Sequence, residues 1–154
     1  MLSVKKTTHP DGKICIELAG VIDASDLNAI LGEVKGPVDI NCSGVTRINS
    51  AGVRSWLFYF TSLLVSKFPV KLKEVSFVLV EQLNLIQNFA GFAEVISVMT
   101  PYVCSKCKHE FQVVMKKEEI PQQSALIAKQ FCPKCGGLGN FDDDPDFYLK
   151  FSRK

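Results

Sequence analysis

The chain reads SAGVRSWLFYFTSLL from residue 50 to residue 64, and no other stretch has so regular a pattern. Apolar side chains recur in it every three or four residues, at Val53, Trp56, Leu57, Phe60, Leu63 and Leu64. This spacing is typical of one buried face of an α-helix, so we expect a helix that begins at Ser50 and packs on a core. Phe58 and Tyr59 fall largely off that face, which favours either a contact patch or packing under a neighbouring loop or helix.

Shorter apolar runs on both sides of this helix predict the rest of the fold. Strands are predicted at residues 13–19, 38–42, 75–80 and 95–99, with further helices ending at Leu31 and spanning 81–89. The residues at 23–26 are cap candidates for the helix that ends at Leu31, and residues 67–73, which contain a proline, are expected to interrupt the pattern. Strands that alternate with helices predict an α/β fold with helices packed on a mostly buried sheet.

Length and composition set the scale of the molecule. A chain of 154 residues with 47% hydrophobic content suits one ordinary core plus a small appendage. Residues 1–12 are polar and do not resemble a secretion signal. The longest apolar stretch, residues 56–65, is shorter than the roughly 20 residues of a membrane-spanning helix. We therefore expect a cytoplasmic protein without a transmembrane helix.

Two separated motifs in the first hundred residues carry a family resemblance. Residues 20–23 read GVID after a predicted strand, and residues 43–53 read SGVTRINSAGV before the long amphipathic helix. In this order they resemble the STAS domain, the sulfate transporter and anti-sigma factor antagonist family, over roughly residues 1–100. The resemblance implies a small α/β module without chemistry of its own, which binds an anti-sigma factor or a switch kinase-like regulator.

The resemblance also implies a regulatory site at the start of the helix. Soluble family members are often phosphorylated in an Asp-Ser-Ser/Thr-Gly motif, where this chain has Asn49, Ser50, Ala51 and Gly52. Ser50, with Asn49, Gly52 and Arg54, is therefore the candidate phosphorylation or partner-docking site. A helix amino terminus tolerates a phosphate, and the added charge changes the surface that a partner contacts. The alternative is that Ser50 caps the helix, a role worth about 1 kcal/mol.

Four of the six cysteines form two C-x-x-C pairs. Cytosolic thiols normally stay reduced unless a metal or a catalytic role uses them, so disulfides are not expected here. Cys104, Cys107, Cys132 and Cys135 have the spacing of two knuckles that direct four thiolates at one structural Zn²⁺. The two remaining cysteines, Cys15 and Cys42, stand alone in apolar runs and are predicted to be buried small hydrophobic residues.

The residues around these pairs predict a small zinc-ribbon β-hairpin module at residues 101–154, after a STAS-like domain at residues 1–100. Residues 111–115 alternate as a hairpin strand should, and the segment has few large apolar groups, so zinc binding would supply its folding free energy. Gly136 follows the second pair, where the turn favours a positive φ angle, whereas Lys108 in the corresponding place predicts a less regular first knuckle.

Other chemistries for this region remain open. A C-x-x-C pair can be a thioredoxin-like redox site, although that calls for one motif between a strand and a helix. A catalytic zinc would keep an open coordination position and use fewer cysteines, and His109 is a further candidate ligand. The acidic residues at 142–146 suit a solvated loop, Ca²⁺ or a basic partner.

Charge helps to choose between classes of function. Residues 1–100 carry nine basic and nine acidic side chains, and residues 101–154 carry nine and seven, an excess that four thiolates around Zn²⁺ would cancel. A nucleic-acid binder normally has a strong basic excess. With no catalytic motif in the sequence, the leading hypothesis is a non-enzymatic signalling adaptor that binds a protein partner. The alternatives are a zinc-ribbon regulator that binds nucleic acid and a STAS-like sensor of a small ligand.

Overall fold

A computed structural model describes residues 2–24, 27–32, 35–62, 67–121, 127 and 129–153, and it shows a mixed α/β fold with two sheets. The strands are β1 (Leu2–Thr8), β2 (Ile14–Ile22), β3 (Val38–Ile48), β4 (Val70–Lys73), β5 (Glu94–Val95), β6 (Ser97–Cys104), β7 (Glu110–Lys116), β8 (Gln130–Phe131) and β9 (Leu138–Phe141). The helices are α1 (Leu27–Leu31), α2 (Ser50–Phe60), α3 (Phe77–Leu85) and α4 (Pro145–Tyr148).

The first sheet has the strand order β1-β2-β3-β4-β5. Strand β1 runs antiparallel to β2, and the remaining neighbours are parallel. Parallel neighbours need a crossover connection, which α2 provides between β3 and β4 and α3 provides between β4 and β5. The carboxyl ends of β3 and β4 therefore lead directly into the amino ends of these two helices.

The core lies between the apolar face of this sheet and the helices. Alternate residues of β2 (Ile14, Ile16 and Leu18) are at most 5% exposed, as expected for a strand with one buried face. From α2, Trp56 and Phe60 enter the core with ring centroids 4.3 Å apart, and Phe89 stacks on Trp56 at 5.2 Å. The Trp56 indole Nε1 also donates a hydrogen bond to the Phe89 carbonyl at 2.9 Å, so its polar atom is satisfied.

The second sheet has the order β7-β6-β9-β8, and its pairs are antiparallel. Its central strand β6 begins beside the first sheet, because the Val75 N–H donates to the Ser97 carbonyl at 3.1 Å and the Met99 N–H donates to the Val75 carbonyl at 2.9 Å. The domain boundary predicted between residues 100 and 101 falls inside this continuous strand.

A buried asparagine joins α3 to the C-terminal segment. Asn84 is 7% exposed, and its Nδ2 donates to the Tyr148 carbonyl at 2.9 Å while its Oδ1 accepts from the Phe151 N–H at 2.8 Å. The Tyr148 hydroxyl donates to the Met99 carbonyl of β6. Tyr148, Leu149 and Met115 belong to the same apolar cluster as the first sheet, so both sheets share one core.

Several predicted elements are confirmed. The strands predicted at 13–19, 38–42 and 111–115 correspond to β2, β3 and β7, and each of the three ends further along the chain than predicted. The long helix begins at Ser50 and is observed to Phe60, while the helix that ends at Leu31 is α1. The cap candidates at 25 and 26 and the predicted apolar positions 63 and 64 lie outside the described residues.

Two predictions between residues 67 and 89 are wrong. Residues 75–80 were predicted as a strand, but α3 begins at Phe77, and the end of the helix predicted at 81–89 is not helical because α3 stops at Leu85. The missing strand is β4, which lies in the segment predicted to be an interruption. A short apolar run has no periodicity that separates a buried strand from a buried helix, which explains the exchange.

The first and last strands of the first sheet also differ from the prediction. Residues 2–8 form the edge strand β1, although they were treated only as a polar amino-terminal segment. The closing strand predicted at 95–99 divides, with Val95 in β5 of the first sheet and residues from Ser97 onward in β6 of the second. Among the described residues, no helix has the length and apolar character needed to cross a membrane.

Candidate metal centre

The four paired cysteines meet in space at one edge of the second sheet. Cys104, Cys107, Cys132 and Cys135 have sulfur atoms that all lie within 4.8 Å of one another. The sulfurs of Cys104 and Cys135 are 3.4 Å apart, and those of Cys107 and Cys132 are 3.7 Å apart. Disulfide sulfurs are about 2.05 Å apart, so these thiols are free. Sulfurs placed tetrahedrally about 2.3 Å from one metal ion would lie about 3.8 Å apart, which matches the cluster.

Each C-x-x-C pair builds the same turn. In the first, the Cys104 N–H donates to the His109 carbonyl at 2.9 Å and the Lys108 N–H donates to the Cys104 carbonyl at 3.1 Å. In the second, the Cys132 N–H donates to the Gly137 carbonyl at 2.7 Å and the Gly136 N–H donates to the Cys132 carbonyl at 2.9 Å. The two knuckles therefore hold their sulfurs with equivalent backbone geometry.

The predicted irregularity of the first knuckle is wrong. Lys108 adopts φ 63° and Gly136 adopts φ 75°, so both positions have the left-handed conformation. Such a conformation is unfavourable for a residue with a side chain and favourable for glycine. The turn geometry thus overrides the preference of lysine, and the first knuckle stores strain that the second does not.

Backbone N–H groups point at the sulfurs. The Cys104 sulfur accepts from the N–H groups of Lys106 and Cys107, each at 3.4 Å, while Lys134 donates to Cys132 and Gly137 to Cys135, each at 3.3 Å. Such bonds favour the thiolate, the form that binds a metal.

Their effect is clearest at Cys104. Donation from the Cys107 N–H, the largest influence, lowers the pKa of the Cys104 thiol to about 6, with further donation from the Lys106 N–H. At Cys107 the His109 N–H acts in the same direction, but burial and the neighbouring sulfurs outweigh it and raise the pKa to about 11. A cation among the sulfurs would remove this mutual opposition, because it favours all four thiolates.

Gly137 is a site residue that the sequence analysis missed. A Cβ atom at this position would lie 3.0 Å from the Cys104 sulfur and 3.2 Å from the Cys135 sulfur. A side chain here would therefore enter the space of the metal ligands. The Gly136-Gly137 pair was the available signal, since one glycine allows the turn and the second keeps the sulfurs uncovered.

The other candidate ligands lie outside this cluster. Among the described residues, the group that could hold a metal ion consists of the four cysteines and does not include His109. The His109 ring stacks beside Phe111, with the ring centroids 6.3 Å apart. In the acidic segment, the Asp144 carboxylate accepts from the Asp146 N–H at 3.0 Å and caps α4. At least one of these acidic side chains therefore has a structural role.

The two lone cysteines differ from each other. Cys42 is fully buried, as predicted, and burial raises the pKa of its thiol to about 12. Cys15 is only partly buried, which corrects the prediction, because it points to the polar face of β2. Its sulfur lies 3.3 Å from Nε2 of the exposed His9.

The second candidate site lies where β3 passes into α2. The Asn49 side chain accepts from the Gly52 N–H at 2.8 Å, so Asn49 caps the helix and Ser50, which was predicted as the alternative cap, is its first residue. Ser50 and Arg54 are exposed. Gly52 is required by close packing, since a Cβ atom would lie 2.1 Å from the Ile22 carbonyl oxygen.

The two aromatic residues predicted off the apolar face of α2 differ in their exposure to solvent. Phe58 is 71% exposed, whereas Tyr59 is 2% exposed. The Tyr59 hydroxyl donates to the Gly32 carbonyl at 3.2 Å. Of the pair, Phe58 is thus the one available for contact with another molecule.

No protein-family model matches this chain, and a search of curated proteins finds no significant match either. By its own geometry the chain is a mixed α/β protein with a cluster of four cysteines that could hold a metal ion.

Proposed function

We propose that this protein is a signalling adaptor without enzymatic activity, in which a STAS-like unit docks a protein partner and one structural zinc ion holds the second sheet. The observation that carries the proposal is the start of α2. Asn49, and not Ser50, makes the capping bond, so a phosphate on the exposed Ser50 hydroxyl would leave the cap intact. Such a residue can change the charge of a surface without unfolding the helix.

The proposed docking surface, here called the α2 surface, consists of Ser50, Arg54 and Phe58. These residues are four apart, so they follow one side of the helix, and all three are exposed. Phe58 offers a large apolar contact at 71% exposure, and Arg54 offers a charge-assisted hydrogen-bond donor. Aromatic and arginine side chains are the types that contribute most to protein interfaces.

Charge indicates what kind of partner fits. Arg47, at the end of β3, is also exposed, so two exposed arginines lie within four residues of Ser50 along the chain. They favour an acidic protein surface, and a phosphate on Ser50 would compete for them and repel such a surface. An anti-sigma factor or a switch kinase-like regulator is the partner class implied by the STAS resemblance.

Affinity capture from the native cell tests this proposal. Full-length protein is captured with its partners, which mass spectrometry identifies together with any phosphate on Ser50. We expect Arg54→Glu, Phe58→Ala and Ser50→Asp to lose the same regulator that the unaltered chain captures. Phe92→Ala is the matched control, because Phe92 is 55% exposed but lies outside α2. Equal capture by Phe58→Ala and by the control would contradict the proposal.

For the four-cysteine cluster, we propose one structural Zn²⁺. Four sulfur donors in a tetrahedral arrangement suit zinc, and a shell closed by four protein ligands leaves no position for a substrate. Protein purified without added metal or chelator should contain one zinc per chain by elemental analysis. A ratio near zero, with the second sheet still folded, would exclude it.

One observation favours a second function for the zinc-binding part. Phe131 is 75% exposed on β8 and directly precedes Cys132, while each knuckle carries a lysine, Lys106 or Lys134, between its cysteines. Exposed aromatic and basic side chains together are typical of single-stranded nucleic-acid binding. Electrophoretic mobility of single-stranded nucleic acid at low salt tests this function. A mobility shift that Phe131→Ala abolishes would support it, and the absence of a shift would exclude it.

A further inference from the structure

A cleft of about 220 Å³ lies between the two sheets, at the amino end of α3. Its polar lining comes from three elements: Ser43 and Thr46 of β3, Ser76 before α3, and Gln112 of β7. Phe77 and Val78 of α3 complete one wall. Because β7 belongs to the second sheet and β3 to the first, a molecule that filled the cleft would contact both sheets.

Ser76 lines this cleft, and its buried hydroxyl is unpaired. The residue is 6% exposed, and within the part of the chain that the structure describes its Oγ has no hydrogen-bond partner. Ser76 occupies the N-cap position of α3, yet its side chain makes no capping bond. A buried polar group without a partner is unfavourable, so it needs an explanation, and a bound partner molecule is one that the cleft has room for.

The amino end of α3 supplies further donors. The Ser76 carbonyl accepts from the N–H groups of Leu79 and Val80, at 3.1 and 2.9 Å. By helix geometry, the N–H groups of Phe77 and Val78 have no acceptor inside the helix. The first turn of α3 contains no acidic residue, so no side-chain carboxylate within that turn neutralises its partial positive charge.

The surrounding side chains complete the chemistry. The hydroxyls of Ser43 and Thr46 donate to the Asn41 side chain at 2.7 Å and to the Gly20 carbonyl at 3.3 Å, so their remaining lone pairs accept. The nearby Glu74 carboxylate accepts from the Asn41 amide, which keeps it engaged at β3. Donors therefore lie at Ser76 and the helix end, acceptors lie at Ser43 and Thr46, and the Gln112 amide offers both.

We propose that this cleft binds a small oxyanion group, a phosphate or a carboxylate, at the Ser76 hydroxyl and the N–H groups of Phe77 and Val78. Helix amino ends bind such groups through their free N–H donors. A single water takes about 30 Å³ of liquid, so the cleft exceeds the space for one structural water. The extra volume and the acceptors on β3 fit an oxyanion carried on a small hydroxyl-bearing molecule. This inference does not depend on the proposed docking function.

Titration of full-length ¹⁵N-labelled protein by NMR tests the proposal, with inorganic phosphate and glycerol phosphate as separate probes and chloride at equal ionic strength as reference. We expect saturable shifts centred on the amides of Ser76, Phe77 and Val78. Tighter binding of glycerol phosphate indicates a phosphorylated small molecule as the source, and equal binding indicates the free anion.

Ser76→Ala should bind either probe at least about tenfold more weakly, because it removes the unpaired donor. It should not lower the melting temperature in chloride, since the hydroxyl makes no bond in the protein. Ser3→Ala, which removes an exposed hydroxyl on β1, is the matched control and should bind as the unaltered chain does. Absent shifts, shifts spread over surface lysines, or full binding by Ser76→Ala would each overturn the proposal. The wild-type titration decides alone if Ser76→Ala does not fold.

Discussion

The two sheets differ in what can hold them together. The first buries a stack of aromatic side chains, Trp56, Phe60 and Phe89, each at most 1% exposed. The second leaves Phe131 75% and Leu138 37% exposed where β8 pairs with β9, and the four sulfurs lie beside that pair. Apolar burial therefore suffices for the first sheet, whereas the outer half of the second depends on the knuckles.

Removal of the proposed zinc should have the largest effect. Zinc contributes about 10–16 kcal/mol to small structural sites, which is comparable to the whole stability of a typical domain. With a chelator, or in Cys132→Ser, we expect the amide signals of residues 104–107 and 130–141 to lose their dispersion. Strands β1 to β4 should remain folded, because their core contains none of the four sulfurs. Two-dimensional NMR measures both regions at once.

Trp56→Ala is the corresponding test of the first sheet. Large aromatic truncations in a core cost about 3–5 kcal/mol, and this one also leaves the Phe89 carbonyl without its donor. We expect a lower free energy of unfolding for the whole chain while zinc stays bound below the transition. If zinc removal instead unfolded both sheets together, the two sheets would form one cooperative unit.

Much of this contrast could be predicted from the sequence. The cysteine spacing predicts the sulfur cluster and the helical period predicts α2, because each pattern has one physical solution. The exchange of strand and helix at residues 70–85 could not be predicted in the same way: α3 is held by the buried contacts of Leu79, Val80 and Asn84, which depend on distant partners. The cleft at Ser76 likewise depends on residues of β3, α3 and β7 that are distant in the sequence.

Asn84→Ala should loosen the connection between the sheets. It leaves the buried Tyr148 carbonyl and Phe151 N–H without their side-chain partners, and an unpaired buried group costs about 1–3 kcal/mol. We expect a destabilisation of about 2 kcal/mol and faster hydrogen exchange at the Phe151 amide. Gln87→Ala, an exposed position just after α3, should change neither quantity. Unchanged exchange in Asn84→Ala would show that the C-terminal segment is held by other contacts.

Asp39 gives the first sheet a pH dependence. Its carboxylate lies 2.8 Å from Lys73 Nζ and 2.9 Å from Lys13 Nζ. Burial acts to raise the pKa of Asp39, but hydrogen bonds from Lys73 and Lys13 outweigh it, so the pKa lies below its ordinary value. The ionised form is therefore favoured by folding. The ionised Asp39 carboxylate therefore adds to the free energy of unfolding above its unfolded pKa of about 3.9. This stabilisation is lost as the pH falls through the lower pKa of the folded state.

Asp39→Asn should consequently destabilise the protein by about 1.5 kcal/mol at neutral pH, and the difference should shrink in acid. Urea unfolding at a series of pH values measures it. Glu17→Gln is the control, because the Lys5–Glu17 pair is 3.9 Å apart with both side chains largely exposed, and such pairs contribute little. A difference between Asp39→Asn and the unaltered chain that stays constant with pH would contradict this role for the carboxylate.

The smallest effect should come from the strained first knuckle. Lys108 and Gly136 occupy equivalent turns with φ 63° and 75°, and a side chain in this region costs about 1–2 kcal/mol. Lys108→Gly removes that strain but adds freedom to the unfolded chain, so we expect a net stabilisation of about 0.5 kcal/mol.

Gly136→Lys should have the opposite sign, since a Cβ atom there meets no atom within 4 Å and only the backbone preference changes. Thermal unfolding of the zinc-loaded protein compares the two. Opposite signs would show that the knuckles are equivalent turns with unequal residues, whereas equal signs would mean that Lys108 is retained for its bond to the Ser105 carbonyl.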